Sequence, residues 1–334
     1  VIVSRKLQDN LSVGPTAVAL GMFDGLHLGH QHVIRQVVRA AGEEGLTPCV
    51  FTFTTSSGQP DAKTHNRRLS SYRLREQLLE EMGVGVMLRP DFAAIRGLSA
   101  EEFVRGILVE KLDARFVSCG VNFRFGKGAA GDAAALEQLC GPLGVRVAAN
   151  PLVEMDGELI SSTRIRRCIA AGEIPLANRL LGRSFTIDFE VVYGRQLGRT
   201  LDSPTINQPF PHDFVVPRYG VYATVTWVDG RCYPSVTNVG TKPTVGSDAV
   251  LSETYIHSYS GDLYGRRIAV EFLEFVRPER KFTSIEELKA QIWHDASITE
   301  VTGRKYILEH AGPDAQWPAP LRTTGNKTTI TGTE

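Results

Sequence analysis

The run Ala17-Val18-Ala19-Leu20-Gly21-Met22-Phe23-Asp24-Gly25-Leu26-His27-Leu28-Gly29-His30-Gln31 passes from apolar residues through glycines into an amphipathic stretch. Ala17–Phe23 reads as a buried strand. Residues 32–42 read as a helix, with Val33, Ile34, Val37, Val38 and Ala41 on one face and Arg35 and Arg39 opposite. His27 and His30 therefore fall in a strand-to-helix turn. A helix N-terminus presents free N–H groups and the positive end of a dipole, which suits phosphate. Glycines let backbone approach a ligand closely, and the histidines can donate hydrogen bonds to a phosphate in transit. Such a site works by positioning and charge stabilisation, with no covalent nucleophile. On spacing alone, a helix-capping turn with solvated histidines fits as well.

Four more apolar runs, Pro48–Phe53, Val84–Leu88, Arg115–Gly120 and Val145–Ala149, alternate with helical patterns. One of these opens on a capping box from Ser99 to Glu102 and carries Phe103, Ile107 and Leu108. Strands alternating with helices predict a parallel sheet covered on both faces. Ligands bind such sheets beyond the carboxyl ends of the strands, where His27 and His30 lie.

Around Leu180–Ser184 the pattern changes. Phe185–Tyr193, Val221–Val228, Tyr233–Val239, Ser252–Ser258 and Arg267–Phe275 alternate in polarity and are broken by turns at Gly194, Gly198, Asp229-Gly230 and Gly261-Asp262. That is the pattern of an antiparallel sheet or barrel. A second capping box, Ser284 to Glu287, opens a closing helix with Leu288 and Ile292 expected inward. From about Ala311 the periodicity stops, and a disordered tail is expected.

With 334 residues the chain can bury two cores. Its zero formal net charge gives no field to recruit nucleic acid or acidic membranes. No apolar run reaches spanning length and no signal peptide is read at Val1. Cys49, Cys119, Cys140, Cys168 and Cys232 are scattered without a Cys-x-x-Cys pair, which reads as reduced core thiols and a cytoplasmic protein. Small-molecule partners are expected, with no nucleic acid or membrane, in a monomer or weak homo-oligomer.

Gly120-Val121-Asn122-Phe123-Arg124-Phe125-Gly126, followed by Gly131-Asp132, leaves room for a flat ligand, and Asn122 can reach a ribose, a phosphate or the polar edge of a ring. A tight loop with two core phenylalanines fits the same residues. Ile160-Ser161-Ser162-Thr163-Arg164-Ile165-Arg166 sets hydroxyls and arginines at a helix start, where arginine opposes the dipole unless an anion is present; a capped helix with solvated arginines fits the same residues. In the second half Gly194-Arg195-Gln196-Leu197-Gly198-Arg199 can wrap phosphates with backbone N–H groups. It precedes Ser203-Pro204-Thr205-Ile206-Asn207, which by itself fits a common structural turn; if extended, Thr205 and Asn207 share a face and can offer oxygens to one Mg²⁺ or phosphate. Glu253, in Leu251-Ser252-Glu253-Thr254-Tyr255-Ile256, reads by itself as an ordinary outward glutamate on a strand, and a carboxylate within reach of a hydroxyl can also act as a base.

In this order, over about residues 13–310, the segments resemble the bacterial bifunctional riboflavin kinase/FMN adenylyltransferase (FAD synthetase) family. Its patterns Gly-x-Phe-Asp-Gly-x-His-x-Gly-His, Gly-x-Asn/Asp-Phe-x-Phe-Gly, Ser-Ser-Thr-x-Ile/Val-Arg and Pro-Thr-x-Asn are all present. Asn238-Val239-Gly240-Thr241-Lys242-Pro243-Thr244, Asp262-Leu263-Tyr264-Gly265 and Arg277-Pro278-Glu279-Arg280-Lys281-Phe282 match as well. The resemblance implies an α/β Rossmann-like nucleotidyltransferase domain at 1–182. A small antiparallel β-barrel riboflavin kinase domain with a C-terminal helix would follow at 183–310. It implies phosphorylation of riboflavin to FMN by ATP, then adenylylation of FMN to FAD with release of pyrophosphate, both with Mg²⁺.

The implied roles are catalysis by Glu253, His27 and His30, with metal binding by Thr205 and Asn207. Nucleotide or phosphate binding falls to Gly21, Phe23, Asp24, Gly29, Ser161, Ser162, Thr163, Arg164, Gly194 and Gly198. Flavin binding falls to Asn122, Phe123, Phe125, Arg277 and Glu279. Two departures stand out. The family's Pro-His-Pro after the second strand is replaced by Thr54-Thr55-Ser56-Ser57-Gly58-Gln59-Pro60, with His65 the next histidine, and the Gly-Phe before Pro-Thr by Asp202-Ser203. They leave open a kinase-only enzyme with a degenerate first module, or a flavin-binding protein without turnover.

Overall fold

The computed structural model describes residues 1–7, 13–54, 67–193, 205–244 and 247–310. They form two units, one from the described residues of 1–66 and 75–162, the other from 67–74 and those of 163–310. The expected tail after Ala311, the segment replacing Pro-His-Pro from Thr55 onward, His65, Gly194, Gly198 and Asp202-Ser203 lie outside the described residues.

In the first unit β1 (Ile2–Ser4), β2 (Thr16–Leu20), β3 (Thr47–Phe51), β4 (Val86–Leu88), β5 (Ala114–Gly120) and β6 (Arg146–Asn150) make one sheet in the order β1-β4-β3-β2-β5-β6. Every pairing is parallel. All five residues of β2 are buried, which explains its unbroken apolar run. The strand order reverses at β2: the chain builds outward through β3 and β4, then returns to β5 on the other side. A crevice opens beyond the carboxyl end of a strand at such a point. α1 (Leu28–Glu44) packs on β2, β3 and β5 and ends at Gly45, whose φ of 67° suits glycine. The strand stops at Leu20, short of the expected Phe23, because Phe23 turns left-handed.

After α2 (Tyr72–Glu81) comes α3 (Ala100–Glu102), which opens on the predicted capping box: Glu102 N donates to Ser99 Oγ, and Ser99 N to the Glu102 carboxylate. It then widens into a π-helix over Phe103–Lys111, which apolar spacing does not distinguish from an ordinary helix. α4 (Ala133–Cys140) follows. β7 (Glu154–Met155) and β8 (Glu158–Leu159) form a hairpin not read from the sequence. Its turn, Asp156-Gly157, has φ of 57° and 74°, and Asp-Gly is the dipeptide that favours such a turn.

In the second unit α5 (Ser162–Ala171) and α6 (Ile174–Leu181) precede β9 (Phe185–Glu190), β10 (Thr205–Pro209), β11 (Gly220–Val228), β12 (Arg231–Thr244), β13 (Ser247–Ile256) and β14 (Arg267–Arg277). These strands pair antiparallel in the order β10-β13-β12-β11-β14-β9. Val192 N donates to Asn207 O at 2.8 Å, so the chain leaving the last strand meets the first and the sheet curls into a barrel. Phe185, Tyr222 and Phe272 fill one part of its interior. Another part is polar: Thr224, Thr226, Ser235, Thr237, Ser252 and Thr254 are fully buried and linked hydroxyl to hydroxyl. α6 docks through Asn178, which donates to Phe272 O and accepts from Phe185 N.

α7 (Ile285–His310) covers β11 and β12 from outside. Leu288 and Ile292, expected inward, are only half-buried; the buried face is Asp295, Ala296, Thr299 and Gly303. Small residues let the helix lie close, and a Cβ at Gly303 would come within 2.8 Å of the Pro234 side chain. Of the second capping box one half forms, Glu287 N to Ser284 Oγ, while the Glu287 carboxylate turns to Thr283.

Candidate active sites

The turn after β2 is strained. Phe23 (φ 49°), Gly25 (φ 77°) and Leu26 (φ 44°) are left-handed, and for the two non-glycine residues that costs about 1–3 kcal/mol each. The surroundings hold it in place. Thr52 Oγ1 and Arg75 Nη1 donate to Met22 O, Ser162 Oγ to Asp24 O, and Gln31 Nε2 to Leu26 O. Arg75 also pairs with the Asp24 carboxylate at 3.0 Å, both side chains buried. Asp24 thus faces Arg75, and Phe23 packs edge-on against His30. Gly21 lies under the Phe23 ring, where a Cβ would be 3.0 Å away.

The strain delivers the two histidines to the start of α1. His27 is buried and caps the helix, its Nδ1 accepting from His30 N at 3.3 Å. The two rings stack with centroids 3.6 Å apart. With Nδ1 accepting, neutral His27 carries its proton on Nε2. Gly29 lies beneath the His27 ring: a Cβ there would be 3.2 Å from Cε1.

Beyond β5, Asn122 is exposed and Phe123 half-buried, while Phe125 is buried in the core. The two phenyl rings stack at 5.8 Å. Gly131 is bridged to Phe125, and a Cβ there would strike that ring, so the loop needs its glycine. Half-buried Ser161 precedes α5, Ser162 braces the turn, Thr163 is exposed and Arg164 is buried in the first turn. The described residues contain no group of three or more His, Cys, Asp and Glu set to hold a metal. Burial pushes the Cys49 thiol up to about 12 and Cys119 and Cys140 to about 11, so none serves as a thiolate nucleophile near neutrality.

In the barrel, Asn207 on β10 lies opposite Glu253 on β13, which lies opposite Asn238 on β12. Directly opposed residues share a face, about 5 Å apart at Cβ. Thr205, two residues before Asn207, projects to that same face. The row therefore gathers a hydroxyl, two amides and a carboxylate. Glu279 reaches it too, accepting from Asn238 Nδ2 at 3.2 Å, and lies across Gly240, where a side chain would collide with its carboxylate. Arg277 faces Asp295 of α7 instead, with Nε and Nη2 both donating to its carboxylate and Nη2 to Oδ2 at 2.6 Å. At the barrel end, Tyr264 stacks on Tyr193 with centroids 4.0 Å apart.

Thr52, Gln31, Arg75 and Asn238 join these sites without a sequence signal of their own. Asn238 lay within a matched segment; Thr52 and Arg75 act through folding alone and carry no local pattern.

Residues 10–164 match the FAD synthetase family and residues 181–302 the riboflavin kinase family. The chain is 37% identical over 283 residues to a bifunctional riboflavin kinase/FMN adenylyltransferase of Pseudomonas fluorescens, covering 83% of this chain and 90% of that one. It is 35% identical over 305 residues to the protein of that name in Escherichia coli K12, covering 89% and 96%. The crystal structure of a Streptococcus pneumoniae protein named macrolide-efflux protein superposes with a TM-score of 0.79 at 28% identity, covering 89% of this chain and 98% of that one. Among the described residues no helix is long and apolar enough to cross a membrane. Two family matches in tandem, at these identities and over nearly the whole of the relatives, settle the lineage: the chain belongs to the bifunctional riboflavin kinase/FMN adenylyltransferase family.

Proposed function

We propose that this chain makes FMN from riboflavin and ATP in its barrel and FAD from FMN and a second ATP at the turn after β2, with residues 1–182 and 183–310 as the working modules. The reading rests most on the coexistence of two separate polar arrangements among the described residues, each on the half matching the corresponding family. In the first, the FMN phosphate attacks the α-phosphorus of ATP and pyrophosphate leaves. His27 Nε2–H, His30 and the N–H groups opening α1 stabilise the added charge. Gly21, Gly29, Ser161 and Ser162 serve the phosphates, and Asn122 with Phe123 takes the flavin.

In the second, Glu253 orients the ribityl hydroxyl and accepts its proton as the γ-phosphoryl arrives. Thr205 and Asn207 present hard oxygen donors beside that carboxylate, a set that fits Mg²⁺, which when bound offsets charge on the triphosphate. Glu279 lies at the flavin end of this row, while Arg277 anchors α7. The substrates are small and soluble, in keeping with a cytoplasmic enzyme that needs neither nucleic acid nor membrane.

The test is chromatography of flavins after incubating the purified chain with riboflavin, ATP and Mg²⁺. FMN followed by FAD is expected. FMN alone would leave a kinase whose first module lacks adenylylation, and no product with riboflavin retained would mean a binding protein.

A further inference from the structure

Strand β10, which carries Thr205 and Asn207, is fully paired with β13 on one side. On the other side, among the described residues, the backbone bond from Val192 N to Asn207 O stands where a strand pairing would, and Pro209 has no N–H to offer. Gln208 makes up the difference. It lies between Asn207 and Pro209, opposite Ser252, and its side chain is fully buried inside the barrel. Its Nε2 donates to Phe189 O at 2.7 Å and to Ile268 O at 2.8 Å. Phe189 on β9 and Ile268 on β14 are directly paired residues. One amide therefore uses both of its protons to take two buried carbonyls.

We infer that Gln208 is a positioning residue for the kinase centre: its buried amide clamps β10 to β9 and β14 and so holds Thr205 and Asn207 beside Glu253. This rests on the kinase reading above. Thr205 and Asn207 ride on the clamped strand, whereas Glu253 sits on β13 between β10 and β12 and is held from both sides. Releasing the clamp leaves β10 held by β13 alone, so the oxygen donors are secured from one side while the carboxylate is secured from both. Loss of Gln208 therefore falls on the Mg²⁺ and nucleotide requirement more than on the proton-accepting step.

Two variants test this. Gln208→Met keeps length and volume but has no donor. Gln208→Glu keeps shape, and its carboxyl can donate one hydrogen bond when protonated and none when ionised. For Gln208→Met, the Mg²⁺ concentration giving half-maximal riboflavin phosphorylation should rise about tenfold, with kcat at saturating Mg²⁺ changing less than about threefold. For Gln208→Glu, which keeps at most one of the two donated bonds, that requirement should rise as well, again with little change in kcat at saturating Mg²⁺. Deuterium exchange in a peptide spanning residues 205–210 should accelerate in both variants, and FAD formation from supplied FMN should stay at the parent rate. If Gln208→Met fails to fold, the Mg²⁺ requirement of Gln208→Glu decides. A lowered melting temperature with an unchanged Mg²⁺ requirement would reduce Gln208 to a structural role and overturn the inference. If the parent chain makes no FMN, the functional reading fails, and exchange at residues 205–210 still tests the clamp.

Discussion

Gly29→Ala should separate stability from catalysis. Gly29 sits in the first turn of α1, where alanine is preferred to glycine by up to about 1 kcal/mol. On stability grounds alone, the variant should melt up to roughly 2–4 °C higher. But its Cβ would be 3.2 Å from His27 Cε1 and 3.3 Å from Nδ1. Carbon atoms in comfortable contact sit about 3.5–4.0 Å apart, so the ring must retreat by about 0.5 Å. That movement acts on the hydrogen bond from His30 N and on the stack with the His30 ring. If a 1 Å misplacement costs about a hundredfold in rate, half of it costs about tenfold. The assay pairs a thermal melt with FAD formation from supplied FMN, with riboflavin phosphorylation as the internal control. The expected result is a melt at or above the parent's and a tenfold slower FAD step, with FMN formation unchanged. An undiminished FAD rate would show that the His27 ring position does not matter and would remove it from the mechanism.

His30→Ala should suppress FAD formation without slowing FMN formation; equal FAD yield in chromatography would take that histidine out of the reaction. Glu253→Ala should abolish FMN formation while adenylylation of supplied FMN survives, and loss of both would show the two activities to be inseparable. Burial raises the Glu271 carboxyl above its ordinary 4.5, against hydrogen bonds from Tyr306 and Trp227. The folded protein therefore holds that proton more tightly than the unfolded chain. Its contribution is complete below about pH 4.5 and is lost as pH rises through the folded value. Glu271→Gln, which cannot ionise, should gain on the parent in melting temperature as pH goes from 4.5 toward neutrality. A pH-independent difference would argue against the shift.

What the sequence shows and hides follows from the range of the forces involved. The strand β2, the helix α1 and the capping box at Ser99 were readable because periodicity and capping act within a few residues. The row Asn207, Glu253, Asn238 was only half readable, since which residues oppose one another is set by strand register, a property of three distant segments. Arg277, placed by resemblance on the flavin, faces a carboxylate on a helix whose close approach depends on Gly303 and Ala296 rather than on the larger Leu288 and Ile292. Leu288 and Ile292 lie on the same face of that helix as Asp295, Thr299 and Gly303, but the closest approach comes further along, at small residues with Tyr306 and Ile307 packed beside them.

The bracing of the left-handed turn has a bearing on portability. Residues 21–31 look like a self-contained cassette, yet two of the carbonyls that fix their course are held by Thr52, Arg75 and Ser162. Grafted after a strand of another α/β sheet, the segment would bring its histidines and lose their alignment, relaxing toward ordinary right-handed backbone. A working transplant has to carry those three supporting residues with it, so the smallest transferable piece is a set of four chain segments rather than one loop.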